Sequence, residues 1–306
     1  MTEFPEKPVL PFRERTTSAA LGWINLIFFF ILFYFILGQD LKEILVLLGV
    51  LLCHELGHLI VMQRLGYKDL QLFMLPMLAS QIEGEKKEIA QSQRSWLVLA
   101  GSLPGILLGG GLFLAAKLAH IEALERPAFI FLLLNAFFLL PLNHLDGGYL
   151  LDTLFVKAGQ VVQVWVLRLV AIGLSVLILV QPQKEYFMLV LPLILFMRSF
   201  IDERIERVRR KLRKQEVNYQ QFFKDLSNEE YWRIRAEVIR SSKQLQDVSP
   251  EEYKVVKAEP AILSQMWLVV RDPLQLDLGG LAKLGIVLLW IAALVGAVLL
   301  LGWGWQ

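Results

Sequence analysis

The chain has 306 residues, 56% of them hydrophobic and 20% charged, with a formal net charge of +2 and a mean hydropathy of +0.52. That balance excludes an ordinary soluble domain and points to a polytopic membrane protein. A single cysteine, Cys53, excludes a disulfide framework and a cysteine-rich zinc site, leaving His54, His58, His120 and His144 as the imidazoles available to a metal.

Apolar runs near bilayer length recur along the chain. The first, about Ala19 to Gly38, follows Lys7, Arg13 and Arg15 and is too long for a cleaved leader, so a retained anchor helix is expected. The second, about Lys42 to Leu65, contains His54, Glu55 and His58. In the third, about Trp96 to Leu118, Gly101, Gly105 and Gly109 recur every fourth residue. This makes a smooth stripe that lets neighbouring helices approach closely, and Pro104 is expected to bend the helix. The fourth, about Ala128 to Phe155, is interrupted by Pro141 and by Gly147-Gly148. A fifth runs from about Val161 to Val180, a short sixth with Pro192 from about Tyr186 to Phe200, and a last from Leu281 to Leu301. The expected fold is an all-α polytopic membrane protein with about seven transmembrane helices around a three-helix core.

Basic residues orient the spans. Arg204, Arg207, Arg209, Arg210, Lys211, Arg213 and Lys214 follow the sixth closely and mark the cytoplasmic side. Counting back, the N-terminus and the loop with Arg64, Lys68, Lys86, Lys87 and Arg94 are also cytoplasmic, and the C-terminus is outside. Residues 204–214 are expected to lie against anionic lipid headgroups. Acidic residues follow them directly, which argues against nucleic acid as the partner. The polar stretch beyond residue 201 reads as a small cytoplasmic helical region. Its helix-start signals are Ser227 with Glu230, and Ser249 with Pro250 and Glu252. The chain then divides into a tail and anchor (1–43), a core (44–156), a helical hairpin (157–200), the cytoplasmic region (201–278) and a terminal span (279–306).

His54-Glu55-Leu56-Gly57-His58 is an HExxH pattern. On a helix its two histidines share a face and can grip one zinc ion, with Glu55 placed to take a proton from activated water. A charged residue at the bilayer centre costs about 2.5–3.5 kcal/mol even on lenient scales, and a divalent cation compensates such groups. Cys53 is off the ligand face and reads as a small hydrophobe. Catalytic zinc needs a third protein ligand. Asp146, in Pro141-Leu142-Asn143-His144-Leu145-Asp146-Gly147-Gly148, is the candidate, since a helical rise of about 1.5 Å per residue brings it to a depth compatible with His54 and His58.

HELGH in one span and P-x-N-H-L-D-G-G in a later one resemble the site-2 protease family of intramembrane zinc metalloproteases. Leu65 to Leu70 resembles the family's exit from its zinc helix, and Ala100-Gly101-Ser102-Leu103-Pro104-Gly105 resembles its A-G-P-L segment, with Ser102 where proline is usual. The resemblance covers roughly residues 44–156. It implies one zinc at His54, His58 and Asp146, Glu55 as general base, and cleavage of a membrane-protein substrate near the cytoplasmic face. The family's usual asparagine falls at Phe138 here, so Asn135 and Asn143 are the two candidates for an amide that holds substrate. His144, just before Leu145-Asp146-Gly147, is a candidate pocket wall, outer-sphere partner or ligand.

For residues 70–83 the resemblance implies a membrane-dipping strand or re-entrant segment. Pro76 and the scarcity of β-branched residues argue instead for an interfacial loop. Two other functional classes remain: an inactive relative acting as a membrane scaffold, to which Phe138 lends weight, and a metal transporter, for which the spans offer few polar residues besides Asn25, Asn135, Gln163 and Arg168. The expected location is the cell membrane of a bacterium.

Overall fold

The protein is described here by a computed structural model covering residues 4–8, 34, 40–73, 81–85, 89–143, 145–156, 158–180 and 189–304. Apart from Tyr34, the expected anchor span (residues 19–38) lies outside the described residues. The chain forms two compact units, residues 14–159 with 275–306, and residues 1–13 with 160–274.

The first unit opens with helix α1 (Leu41–Arg64), capped by Asp40, whose side chain accepts from the Glu43 amide at 2.8 Å. Along α1, Leu41, Leu45, Leu52, Leu56 and Ile60 are exposed while His54 and Glu55 are buried. Three- and four-residue steps keep the leucines on one outward face, the arrangement for a helix whose surroundings are lipid and whose ionisable groups turn inward. Gly66, at φ +75°, makes the left-handed turn out of α1. Strand β1 (Lys68–Phe73) then pairs antiparallel with β2 (Gln81–Glu85), Gln71 opposite Glu83 and Phe73 opposite Gln81. The strand implied by the resemblance is therefore present; Pro76 falls between the two strands, outside the described residues.

Helix α2 (Gln91–Ala119) runs through Pro104 without a break. The expected fourth span is split, as Pro141 and the glycine pair suggest, into α3 (Glu125–Phe138) and α4 (Asp146–Leu154). Buried Gln91 at the start of α2 donates to the Thr153 carbonyl at 2.5 Å and pins the end of α4. Leu99, Leu132, Leu139, Leu150 and Leu154 form the centre of the unit's core, joined by Trp290 and Ala297. The last two belong to the terminal helix, numbered α9 below (Gly280–Gly304).

The second unit contains α5 (Gly159–Val180), α6 (Val190–Lys214), α7 (Asn228–Ser241) and α8 (Glu259–Val269). Helix α6 starts within the expected sixth span and continues without interruption into the basic run. Ser227 and Glu230 form the expected capping box at α7. The second expected helix start fails: residues 249–252 make only a turn, and the next helix begins at Glu259. The reason is Arg235, fully buried, which pairs with both Glu259 oxygens at 2.9 Å and donates to the carbonyls of Glu252 (3.2 Å) and Lys254 (3.1 Å). Those carbonyls serve a buried guanidinium whose donors need partners, and the segment is held as a loop around it.

Four helices among the described residues are long and apolar enough to cross a membrane: Leu41–Arg64, Gln91–Ala119, Gly159–Val180 and Gly280–Trp303. The chain is a membrane protein.

Candidate metal centre

Helix α1 carries His54 and His58 one turn apart, their rings 4.8 Å between centroids and nearly perpendicular. Asp146 enters from the first turn of α4. The three donor atoms converge. His54 Nε2 and His58 Nε2 are 3.2 Å apart, and Asp146 Oδ2 lies 3.3 Å from the first and 3.4 Å from the second. Two of the expected ligands from one helix and one from a distant segment are thus brought together.

The groups behind the imidazoles decide what this triangle is. His58 Nδ1 faces the Leu97 carbonyl at 2.9 Å, and His54 Nδ1 faces Asn135 Oδ1 at 3.3 Å. The Asn135 amide orientation is set by its Nδ2, which donates to the Phe131 carbonyl at 2.8 Å. These acceptors assign the proton of each neutral ring to Nδ1, which leaves both Nε2 atoms with lone pairs to offer a metal. Two nitrogen lone pairs and a carboxylate oxygen within 3.4 Å of one another repel unless a metal ion or a proton sits among them. Zinc bonds of about 2.0–2.1 Å at tetrahedral angles put ligand atoms about 3.3–3.4 Å apart, the edge length found here. The donor set fits a zinc ion.

Helix α2 supplies the floor. A Cβ on Gly57 would lie 1.9 Å from the Ala100 carbonyl oxygen, and one on Gly101 would lie 2.3 Å from His58 Nε2. One on Gly105 would meet the Asn135 amide at 2.2 Å. The stripe seen in the sequence thus makes room for both imidazoles and for the asparagine behind one of them. The fully buried Ser102 donates from Oγ to Asp146 Oδ2 at 3.1 Å, the same oxygen that faces both histidines. Sequence reasoning noticed Ser102 only as a departure from a motif; its place on α2 one residue past Gly101 was the available signal. Leu97, through its carbonyl, could not have been found that way.

The turn between α3 and α4 positions Asp146. Added Cβ atoms on Gly147 and Gly148 would meet the Leu139 and Leu142 carbonyl oxygens at 2.0 Å, so the chain folds onto itself there only because both are glycine. Trp290 of α9 donates its indole N–H to the Leu139 carbonyl at 2.8 Å, satisfying an acceptor that the end of α3 leaves over. Asp146 opens α4, where the positive end of the helix dipole favours a carboxylate.

No family model matches the chain. It is 31% identical over 124 residues to stage IV sporulation protein FB of Bacillus subtilis. The match takes in 40% of this chain and 43% of that protein, so the chain spans less than half the length of its curated relative.

The remaining candidates separate. Glu55 is 3% exposed, next to His54 in sequence and one turn before His58. Asn135 is fully buried behind His54, with one amide atom on His54 and the other on Phe131. Phe138, the position where the resemblance leads one to expect asparagine, packs its ring 4.3 Å from that of His54. Asn143 is half-buried in the α3–α4 turn. His144 lies outside the described residues, and Cys53 is half-buried and not among the converging donors.

Proposed function

We propose that this protein is an intramembrane zinc metalloendopeptidase that cleaves a transmembrane or membrane-proximal segment of another protein. The observation that carries the reading is the triangle of two imidazole nitrogens and one carboxylate oxygen at zinc-tetrahedron spacing, beside a buried glutamate, with both histidines on a helix apolar enough to cross a membrane. The similarity to the sporulation protein supports kinship with it. When bound, zinc supplies Lewis acidity toward water and toward the scissile carbonyl. Glu55 takes a proton from the attacking water and hands it to the amide nitrogen as the C–N bond breaks. Asn135 and the Leu97 carbonyl hold the two imidazoles in the tautomer that leaves Nε2 free to ligate, and Ser102 holds the carboxylate. A peptide bond within a helix is shielded by its own turn, so the substrate must unwind at the cut. An edge of the β1–β2 hairpin is suited to receive the unwound strand by main-chain pairing.

The reading places the protein as a multi-pass component of a bacterial cell membrane, N-terminus in the cytoplasm, with one zinc per chain. Mapping membrane-protein fragments in cells that carry wild type or Glu55→Gln tests it. Fragments ending within or beside transmembrane segments should disappear with Glu55→Gln while the purified variant keeps one equivalent of zinc. Identical fragment sets would remove Glu55 from catalysis, and purified wild type unable to take up zinc would remove the metalloprotease reading.

A further inference from the structure

Beyond the metal centre, the second unit holds a cavity of about 460 Å³ between the basic half of α6 and the end of α7. Arg204, Arg207 and Lys211 reach it from α6, and Arg240 and Lys243 from the other wall. Ser241, Ser242 and Gln246 add polar groups, while Ile239, Leu245, Val248 and Pro250 add an apolar side. Two of the five cations are neutralised: Lys211 pairs with Glu237 at 3.3 Å, and Arg240 with Glu237 at 3.0 Å and Glu251 at 3.4 Å. Arg204, Arg207 and Lys243 have no acidic partner among the described residues. Of the neighbouring acids on α6, Asp202 pairs with Arg198 at 3.4 Å, Glu203 with Arg168 at 2.5 Å and Glu206 with Arg213 at 2.6 Å.

A basic run on a helix is ordinarily a solvated face. This one differs in its concavity and in where its stripe leads. Val190, Leu193, Ile194, Met197, Phe200 and Ile201 are exposed in three- and four-residue steps along α6. Arg204, Arg207 and Lys211 continue the same steps, so the face that is apolar for three turns turns cationic within one more. At about 1.5 Å per residue, Arg204 stands about 5 Å and Arg207 about 9 Å beyond Ile201, the depth change from acyl chain to headgroup. Like charges at such spacing disfavour a helix unless an anion lies between them.

We propose that this cavity is a binding site for a phosphate group, held by Arg204, Arg207 and Lys243 with help from the Ser241 and Ser242 hydroxyls. The phosphate can belong to the headgroup of an anionic lipid reached along the α6 face, or to a soluble phosphorylated compound. The site owes nothing to the metal centre and stands whether or not the protein is a protease.

The test uses the full-length protein in two arms. One titrates inorganic phosphate onto protein in phosphatidylcholine nanodiscs. The other measures protein binding of a fluorescent phosphatidic acid diluted into the same lipid. Saturable binding in the first arm identifies a soluble source, and binding in the second arm alone identifies a lipid. In whichever arm binds, the triple substitution Arg204→Gln, Arg207→Gln, Lys243→Gln should weaken affinity at least about tenfold. A control that removes three charges outside the cavity, Arg210→Gln, Lys214→Gln, Lys257→Gln, should change it less than about twofold. Equal losses from both sets would mean a diffuse surface field and would overturn the proposal, as would the absence of binding in both arms. Unchanged far-ultraviolet circular dichroism of each triple variant is required of the comparison; if the pocket set unfolds, Lys243→Gln alone replaces it and should still lower affinity measurably.

Discussion

Ser102 and Asn135 are not among the three converging donors, yet each touches one of them. Ser102 Oγ and the two imidazoles all converge on one oxygen of Asp146. Losing an outer partner of this kind typically lowers metal affinity about 10–100-fold. Ser102→Ala should therefore weaken zinc binding about tenfold in competition with a chelator, at unchanged helix content; undiminished affinity would show that the hydroxyl is idle. Asn135→Ala separates two roles, the substrate-holding amide expected from the sequence and the His54 partner found in the structure. If it orients His54, zinc affinity falls and the KM for the proposed cleavage by zinc-saturated protein stays near wild type. If it holds substrate, zinc affinity is untouched and kcat/KM falls. Its burial and its two amide contacts favour the first outcome.

At the level of the element, backbone proximity sets the site. Gly57 on α1 lies against the Ala100 carbonyl with no room for a methyl group. Gly57→Ala must push α1 and α2 apart, so it should cost at least about 1–3 kcal/mol and lower zinc affinity together; a thermal melt with and without chelator reads both. This contact was half legible in the sequence. The glycine period of α2 announced a close helix neighbour, and HExxH announced the other face, but nothing local paired residue 57 with residue 100. The limits of local signals are clearer at Ser249-Pro250-Glu252. A well-formed capping pattern yields no helix because Arg235, far along the chain, needs the carbonyls of Glu252 and Lys254. At Ser227-Glu230 no such competitor intervenes, and the same pattern caps α7. There, burial pushes the Glu230 carboxyl upward, but hydrogen bonds from the Ser227 amide and hydroxyl more than offset it and hold the group below its ordinary range. A depressed value in the folded state stabilises above the unfolded value, near 4.3 for glutamate, and that contribution is lost as pH falls through the folded value. Ser227→Ala should cost about 1 kcal/mol at neutral pH and much less in acid, read from melts at both pH values.

At the scale of the whole molecule, two compact units with different chemistry imply two stabilities. One is organised around the His54–His58–Asp146 cluster and a core of leucines. The other is organised around Trp232, Tyr231 and the buried Arg235–Glu259 pair, to which the Tyr231 hydroxyl donates at 3.0 Å. The N-terminal residues belong to this second unit: Lys7 donates through Nζ to the carbonyls of Lys224 and Leu226, and the Trp232 indole donates to the Pro5 carbonyl at 2.7 Å. A ligand that binds the folded state of one unit stabilises that unit alone unless the two unfold together. Zinc at about a hundredfold above its dissociation constant should add about 2.7 kcal/mol to the first unit. Breaking a buried ion pair by removing one partner costs about 3–5 kcal/mol, so Glu259→Gln should destabilise the second. Calorimetry of the full chain in detergent should then resolve two transitions, one raised by zinc and lowered by chelator, the other lowered by Glu259→Gln and indifferent to metal. A single transition displaced by both perturbations would show that the units fold as one cooperative block, and that the binding energy of added zinc is shared with the helices of the second unit rather than confined to α1, α2 and α4.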